Sequence, residues 1–194
     1  MSIFNFTDEQ SLGEVRSVET SRITVRVTDG QRLQKARVGR LVAIQSMGDE
    51  WLIGIIERVW RHPVELPTLP EVDPPADLAG VPQEENGVSI SLVGTYRARD
   101  GQRKDTFTRA VFILPEINRP VFPIEEKSLE DFMGILSASS KADAAAPLKV
   151  GTYTLDGKAS AYIDGDKLFQ RHAALLGSTG SGKSFTVASI LEQS

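Results

Sequence analysis

Eight residues near the end of the chain, Gly177-Ser178-Thr179-Gly180-Ser181-Gly182-Lys183-Ser184, fit the spacing G-x-x-x-x-G-K-S/T without a mismatch. Such a loop must curl with its N–H groups pointing inward, and glycine is needed where a Cβ would obstruct a phosphate. Lys183 has the reach to place a positive charge on β- and γ-phosphate oxygens, and the Ser184 hydroxyl suits Mg2+. The N-terminus of a following helix would add partial positive charge at the same point. The encoded chemistry is phosphate binding.

The elements that must position this loop are legible on either side of it. His172-Ala173-Ala174-Leu175-Leu176 is a short apolar run suited to a buried parallel strand. Behind the loop, Phe185, Val187, Ala188, Ile190 and Leu191 put apolar residues on one face of a predicted helix. A solvated Ser/Gly turn would explain the composition of the loop, but not this order of strand, loop and helix.

Other candidate sites are weaker. Asp164-Gly165-Asp166 has a calcium-loop flavour, but Leu168 takes the next ligand position and the glycine is misplaced. A turn is the better reading, with Asp164 or Asp166 capping a short helix through Phe169. Arg97, Arg99, Arg103, Lys104 and Arg109 surround a predicted hairpin and could touch a phosphate backbone. Asp100 and Asp105 dilute them, which favours a solvated hairpin. Cysteine is absent and histidine is limited to His62 and His172. That excludes disulfide frameworks, thiol nucleophiles, thiolate zinc sites and histidine-rich metal sites. His172 reads as a packed strand-edge residue, and nothing links either histidine to a nucleophile.

Charge narrows the partners. Lysine and arginine number 22 against 26 aspartates and glutamates, a net charge of −4 over 194 residues. A small basic protein that coats nucleic acid is therefore not expected, although a local basic patch is compatible with this balance. No apolar run approaches the roughly 18 residues of a membrane span. The first thirty residues lack a signal-peptide pattern, so the expected compartment is the cytoplasm, without membrane contact. There Asn5-Phe6-Thr7 is a coincidental sequon.

The first half of the chain reads as short strands between turn signals. Gly13–Val18 and Arg22–Thr28 alternate, and Asp29-Gly30 predicts a turn after them. Val38–Met47, Gly48-Asp49 and Trp51–Trp60 continue the pattern. Val88–Arg99 and Thr106–Leu114 flank a second hairpin signal, Asp100-Gly101. An antiparallel barrel over 1–123 is expected, because closure removes edge strands in a small domain. Six of the ten prolines fall in 63–82, which predicts an extended surface insertion rather than a strand. A proline-rich recognition peptide is the functional alternative there. Leu129, Phe132, Met133 and Leu136 recur with helical period behind a capping-box-like Ser128-x-x-Asp131. Residues 124–148 are thus a helix and an Ala/Ser-rich linker, and 149–194 begin a phosphate-binding domain.

From Gln170 to Ser184 the sequence resembles the P-loop of the HerA-like ATPases, within the HerA/FtsK superfamily of hexameric DNA-translocating motors. Gln170-Arg171-His172 and the apolar strand lead directly into Thr179-Gly180-Ser181-Gly182-Lys183-Ser184, which is narrower than the generic motif. The family also carries an N-terminal β-barrel like that of ATP synthase catalytic subunits. Val38-Gly39-Arg40-Leu41-Val42-Ala43-Ile44, followed by Gly54-Ile55-Ile56, is similar to it. The resemblance implies an all-β barrel followed by the first βα unit of a RecA-like α/β P-loop domain. It implies ATP and Mg2+ as cofactors, with Gly177, Gly180, Gly182, Lys183 and Ser184 as nucleotide ligands. Ser178, Thr179 and Ser181 join them, the last two through backbone N–H groups; Lys183 is the catalytic charge and Ser184 the metal ligand.

The same resemblance implies a DNA helicase or translocase, a hexameric homo-oligomer on duplex DNA. A nuclease or other effector partner in DNA-end processing or anti-phage defence is also implied. Ten residues follow Ser184, too few for a second carboxylate-bearing strand or an arginine finger. The expectation is an N-terminal part of an ATPase that does not itself hydrolyse ATP or hold nucleotide firmly. Two alternatives stand beside it: an oligomerising or partner-docking barrel with an inert P-loop tail, and an ABC-type ATPase. The latter fits poorly, since such domains place the P-loop near the start.

Overall fold

The computed structural model describes residues 2–46, 48–63, 84–98, 105–137, 148–170 and 174–192. They form two compact units, one of Asn5–Arg97 with Thr108–Pro123, the other of Met1–Phe4, Ala98–Phe107 and Ile124–Ser194.

The first unit is built on alternation. In β1 (Gly13–Val18) and β2 (Arg22–Val27), Val15, Ile23, Val25 and Val27 are buried while Glu14, Arg22 and Arg26 face water. A period of two sends one row inward, and a closed sheet is how such rows bury each other without leaving an edge. The further strands are β3 (Leu41–Gln45), β4 (Glu50–Pro63), β5 (Glu84–Arg97) and β7 (Pro120–Pro123). The ring runs β2-β1-β7-β3-β4-β5, and β5 returns to β2 from Arg22 opposite Ser91 to Val27 opposite Asn86. All these pairings are antiparallel, so the all-β barrel expected from the sequence is present and closed with six strands. A three-residue strand, β6 (Thr106–Thr108), lies where the chain passes between the units.

The core is aliphatic: Leu12, Val15, Ile23, Val25, Val42, Ile44, Leu52, Ile56, Val88, Ile90 and Val121 pack as one cluster. The two fourteen-residue strands β4 and β5 need to bend to follow the barrel. Bulges between Ile53 and Gly54 and between Ile56 and Arg58 supply the bends. Gly54 is required there, because a Cβ would stand 2.4 Å from Ile90 Cγ2 and 2.9 Å from the Ser91 carbonyl oxygen. An aromatic group lies alongside, with Phe6 stacked on Phe122 at 4.8 Å and edge-on to Trp51 at 5.6 Å.

Some local expectations in this unit are corrected. Asp29-Gly30 does not turn a hairpin; the Asp29 carboxylate accepts the Gln31 N–H at 2.8 Å and caps helix α1 (Gly30–Lys35). The same Asp-Gly pair serves either structure, and Leu33 decides for the helix by burying its side chain in the core cluster. The strand expected over Thr106–Leu114 stops at Thr108. Beyond it the Ala110 carbonyl accepts from the Thr95 hydroxyl at 2.8 Å, a side-chain bond in place of a ladder bond. Phe112, Ile113 and Leu114 are left exposed. The insertion expected over 63–82 does not begin at Pro63, which ends β4 opposite Glu84; its remainder, the Asp100-Gly101 hairpin turn and the linker after Ser137 lie outside the described residues.

In the second unit, helix α2 (Glu126–Ser137) buries Leu129 and Phe132, as its period predicts. Phe132 meets the Phe4 ring at 6.1 Å and Phe107 edge-on at 5.4 Å. Ser128 is not the cap: it lies inside the helix. The Glu126 N–H instead donates to the Asp156 carboxylate. Asp156 opens β9 (Asp156–Ile163), which forms a hairpin with β8 (Leu148–Tyr153) and packs on α2. Lys158 closes this junction, its ammonium 2.6 Å from Glu126 Oε1 and its N–H on Asp156 Oδ1.

Candidate functional site

Helix α3 (Gly165–Phe169) follows the hairpin and is capped as expected: Asp164 Oδ1 accepts the Lys167 N–H at 3.0 Å. Lys167 also holds its ammonium 2.9 Å from Asp164 Oδ2. That side-chain partner, with the backbone N–H groups, keeps the Asp164 carboxyl below its ordinary range. Asp164 is thus committed to a helix cap. No group of three His, Asp or Glu side chains among the described residues could hold a metal ion.

The phosphate-loop residues come together as a curl. Ser181 N–H donates to the Ser178 carbonyl at 3.2 Å, closing a tight turn. Gly180 and Gly182 take φ of 81° and 83°, a left-handed conformation that costs other residues roughly 1–2 kcal/mol. At Gly177 the requirement is space, since a Cβ would stand 2.6 Å from Ser181 Oγ. Helix α4 (Lys183–Glu192) starts directly behind, with the Thr186 N–H on the Gly182 carbonyl at 2.9 Å. The first N–H groups of a helix have no intrahelical partner and are free to serve an anion.

Lys183 completes the arrangement. Its ammonium donates to the Gly177 carbonyl at 2.9 Å and to the Ser178 carbonyl at 2.5 Å. An ammonium has three donors, so one is left for a ligand. The lysine therefore spans the loop and holds its charge over the curl rather than trailing into solvent. Ser184 sits in the first turn of α4 beside it. A curl with left-handed glycines at 180 and 182, a helix N-terminus directly behind it and an ammonium held across it suits the charge of a polyphosphate.

The flanking strand is not formed as expected. Ala174, Leu175 and Leu176 join no ladder, and Leu176 is 91% exposed; His172 and Ala173 lie outside the described residues. A parallel strand exists only between neighbours that satisfy its N–H and C=O groups, and no described strand pairs with this segment. For the same reason α4 forms but buries nothing, leaving Phe185 80% and Leu191 58% exposed. Of the basic hairpin residues, Arg97 is tied to Glu50 at 2.7 Å, Arg109 is exposed, and Arg99, Arg103 and Lys104 lie outside the described residues. No helix of the described residues is long and apolar enough to cross a membrane.

The β8–β9 hairpin and the Asp156 cap escaped sequence reasoning. The alternation of Ala159, Ala161 and Ile163 behind Asp156-Gly157 is the signal that could have revealed them.

Comparison with known families places a boundary at the same hairpin. Residues 148–194 match the family model described as Helicase HerA, central domain. No curated protein matches the chain. The matched stretch contains β8, β9, α3, the phosphate loop and α4, and relates this part of the chain to the HerA-like P-loop ATPases. A six-stranded barrel precedes it, in keeping with a HerA-like N-terminal region.

Proposed function

We propose that Gly177–Ser184 binds the triphosphate of ATP together with Mg2+, in a subunit of a HerA-like DNA translocase. The observation that carries this reading is the Lys183 ammonium held across the loop by the Gly177 and Ser178 carbonyls. Backbone N–H groups of Thr179, Gly180, Gly182 and Lys183 would donate to phosphate oxygens, the Ser181 N–H joining them only by leaving the Ser178 carbonyl, and the free donor of Lys183 would reach the β- and γ-phosphates. Bound through the Ser184 hydroxyl, Mg2+ would neutralise charge on the phosphoryl oxygens. Isothermal titration with Mg-ATP tests the site: heat of binding in the parent chain, lost in Lys183→Ala, supports it. Equal binding by both would refute it.

Assembly as a homo-oligomeric ring, duplex DNA and an effector protein such as a nuclease belong to the same proposal. Duplex affinity then rests on the assembled ring, where weak contacts from each subunit add, and falls steeply with salt. The docking-module alternative has one observation in its favour: Phe112, Ile113, Leu114 and Ile117 are exposed in one loop of the barrel unit. Phe112→Ser with Ile117→Ser separates the readings. Loss of self-association or partner capture with Mg-ATP binding intact assigns that loop to docking.

A further inference from the structure

On the outside of the barrel, β5 runs between β2 and β4, and its outward row is small where its neighbours' rows are long. Val88 and Ile90 point into the core, which leaves Gly87 and Ser89 facing out. Thr24 and Arg58 both register on Ser89, from the β2 and β4 sides, and Trp60 registers on Gly87. A small-residue floor between long walls is a groove, here a cavity of ≈ 440 Å³ that Arg22 and His62 also line.

Three features of this groove are unspent by the fold. Ser89 is 9% exposed, and its hydroxyl, which is open to the groove, has no hydrogen-bond partner among the described residues. The Arg58 guanidinium is exposed and makes no ion pair among the described residues, whereas Arg22 is taken by Glu57 at 3.1 Å. The Trp60 indole rests on Gly87 so closely that a Cβ there would stand 2.2 Å from Cζ2. An aromatic ring is thus seated beside a free guanidinium.

We propose that this groove binds a nucleotide unit, its phosphate on Arg58 and the Ser89 hydroxyl and its base against Trp60. Arg58 and Trp60 are two residues apart on one strand face, so they stand about 7 Å apart. That is the kind of separation a nucleotide places between phosphate and base. Guanidinium and hydroxyl donors suit a phosphate, and an aromatic platform accepts any base. The engaged Glu57 carboxylate leaves one positive charge in excess, enough for one phosphate. The unit comes either as a free mononucleotide or as part of a single-stranded nucleic acid, whose bases, unlike those of a duplex, are open to stacking.

The test uses the full chain carrying Lys183→Ala, so that the phosphate loop does not contribute. Adenosine monophosphate, a short oligothymidylate and inorganic phosphate are titrated while tryptophan emission is followed; Trp51 is buried, so Trp60 reports. Quenching by the oligonucleotide alone assigns a single strand as the source, and equal quenching by the monophosphate assigns a free nucleotide. Either result supports the site, provided that Trp60→Ala or Arg58→Gln weakens binding roughly tenfold by anisotropy or calorimetry. Far-ultraviolet circular dichroism unchanged from the parent shows that these variants fold. Absence of quenching by every probe, unaltered affinity in both variants, or inorganic phosphate binding as well as the monophosphate would overturn it.

Discussion

The Lys183 ammonium reaches back six residues and lies 2.9 Å from the carbonyl oxygen of Gly177, the first residue of the loop. The side chain thus locks the loop from end to end as well as supplying charge. Lys183→Ala removes both functions, and in the proposed ATPase assembly we expect turnover to fall by roughly two orders of magnitude or more. Lys183→Arg should not rescue it, because a planar guanidinium cannot repeat this pair of point contacts. Steady-state phosphate release measures both variants, and near-parental turnover in Lys183→Ala would refute the assignment. Ser184→Ala should differ, its defect being relieved by raising Mg2+.

The three loop glycines should rank by the reason each is there. Gly180→Ala and Gly182→Ala force a left-handed φ on a side chain, so each should cost about 1–2 kcal/mol of Mg-ATP binding. Gly177→Ala meets only Ser181 Oγ, which can rotate away, and Ser181→Gly in the same chain should restore affinity. Calorimetric affinities for the four variants check the order.

Stability should respond to glycine substitution with opposite signs in the two units, falling in the barrel and rising in the second unit. Gly13→Ala would put a Cβ 2.3 Å from the Arg26 carbonyl oxygen, across the β1–β2 ladder where neither backbone can yield. A loss of about 1–3 kcal/mol or more is expected. Gly134 lies within α2 with nothing within 4 Å of a built Cβ, so Gly134→Ala should stabilise that helix by up to about 1 kcal/mol. Urea unfolding of each variant gives the sign.

Two ion-paired junctions set opposite pH dependences in the second unit. Lys167 and the backbone N–H groups hold the Asp164 carboxyl below its ordinary 3.8. Its contribution is therefore complete above that value and lost as pH falls through the lower folded value. Lys158 is raised above 10.5, first by its hydrogen bond to Glu126, so its contribution is complete below 10.5 and lost as pH climbs beyond it. Asp164→Asn should reduce the acid limb of a stability–pH curve and leave the alkaline limb unchanged, whereas Glu126→Gln should reduce the alkaline limb.

What could be read from the sequence follows what each signal depends on. The barrel was legible because Ile23, Val25 and Val27 alternate, which calls for a sandwich or a barrel, and closure decides for the barrel by leaving no edge strand. The curl of the phosphate loop was legible because its glycines are demanded by local geometry. The strand at Ala174–Leu176 was misread because apolar composition shows that a segment can be buried, whereas a strand also needs partners. Asp29-Gly30 was misread because one dipeptide serves a turn and a helix cap equally, and only the burial of Leu33 separates them. Asp156 was missed because its partner, the Glu126 N–H, is thirty residues away.

The central claim is that Gly177–Ser184 receives a nucleotide phosphate. Backbone amide shifts of the 15N-labelled chain during titration with Mg-ATP test it most directly, since even weak association moves them. The account requires saturable shifts concentrated at Gly177–Ser184 and the first turn of α4, absent in Lys183→Ala. Shifts that bypass the loop, or that persist unchanged in Lys183→Ala, would contradict it.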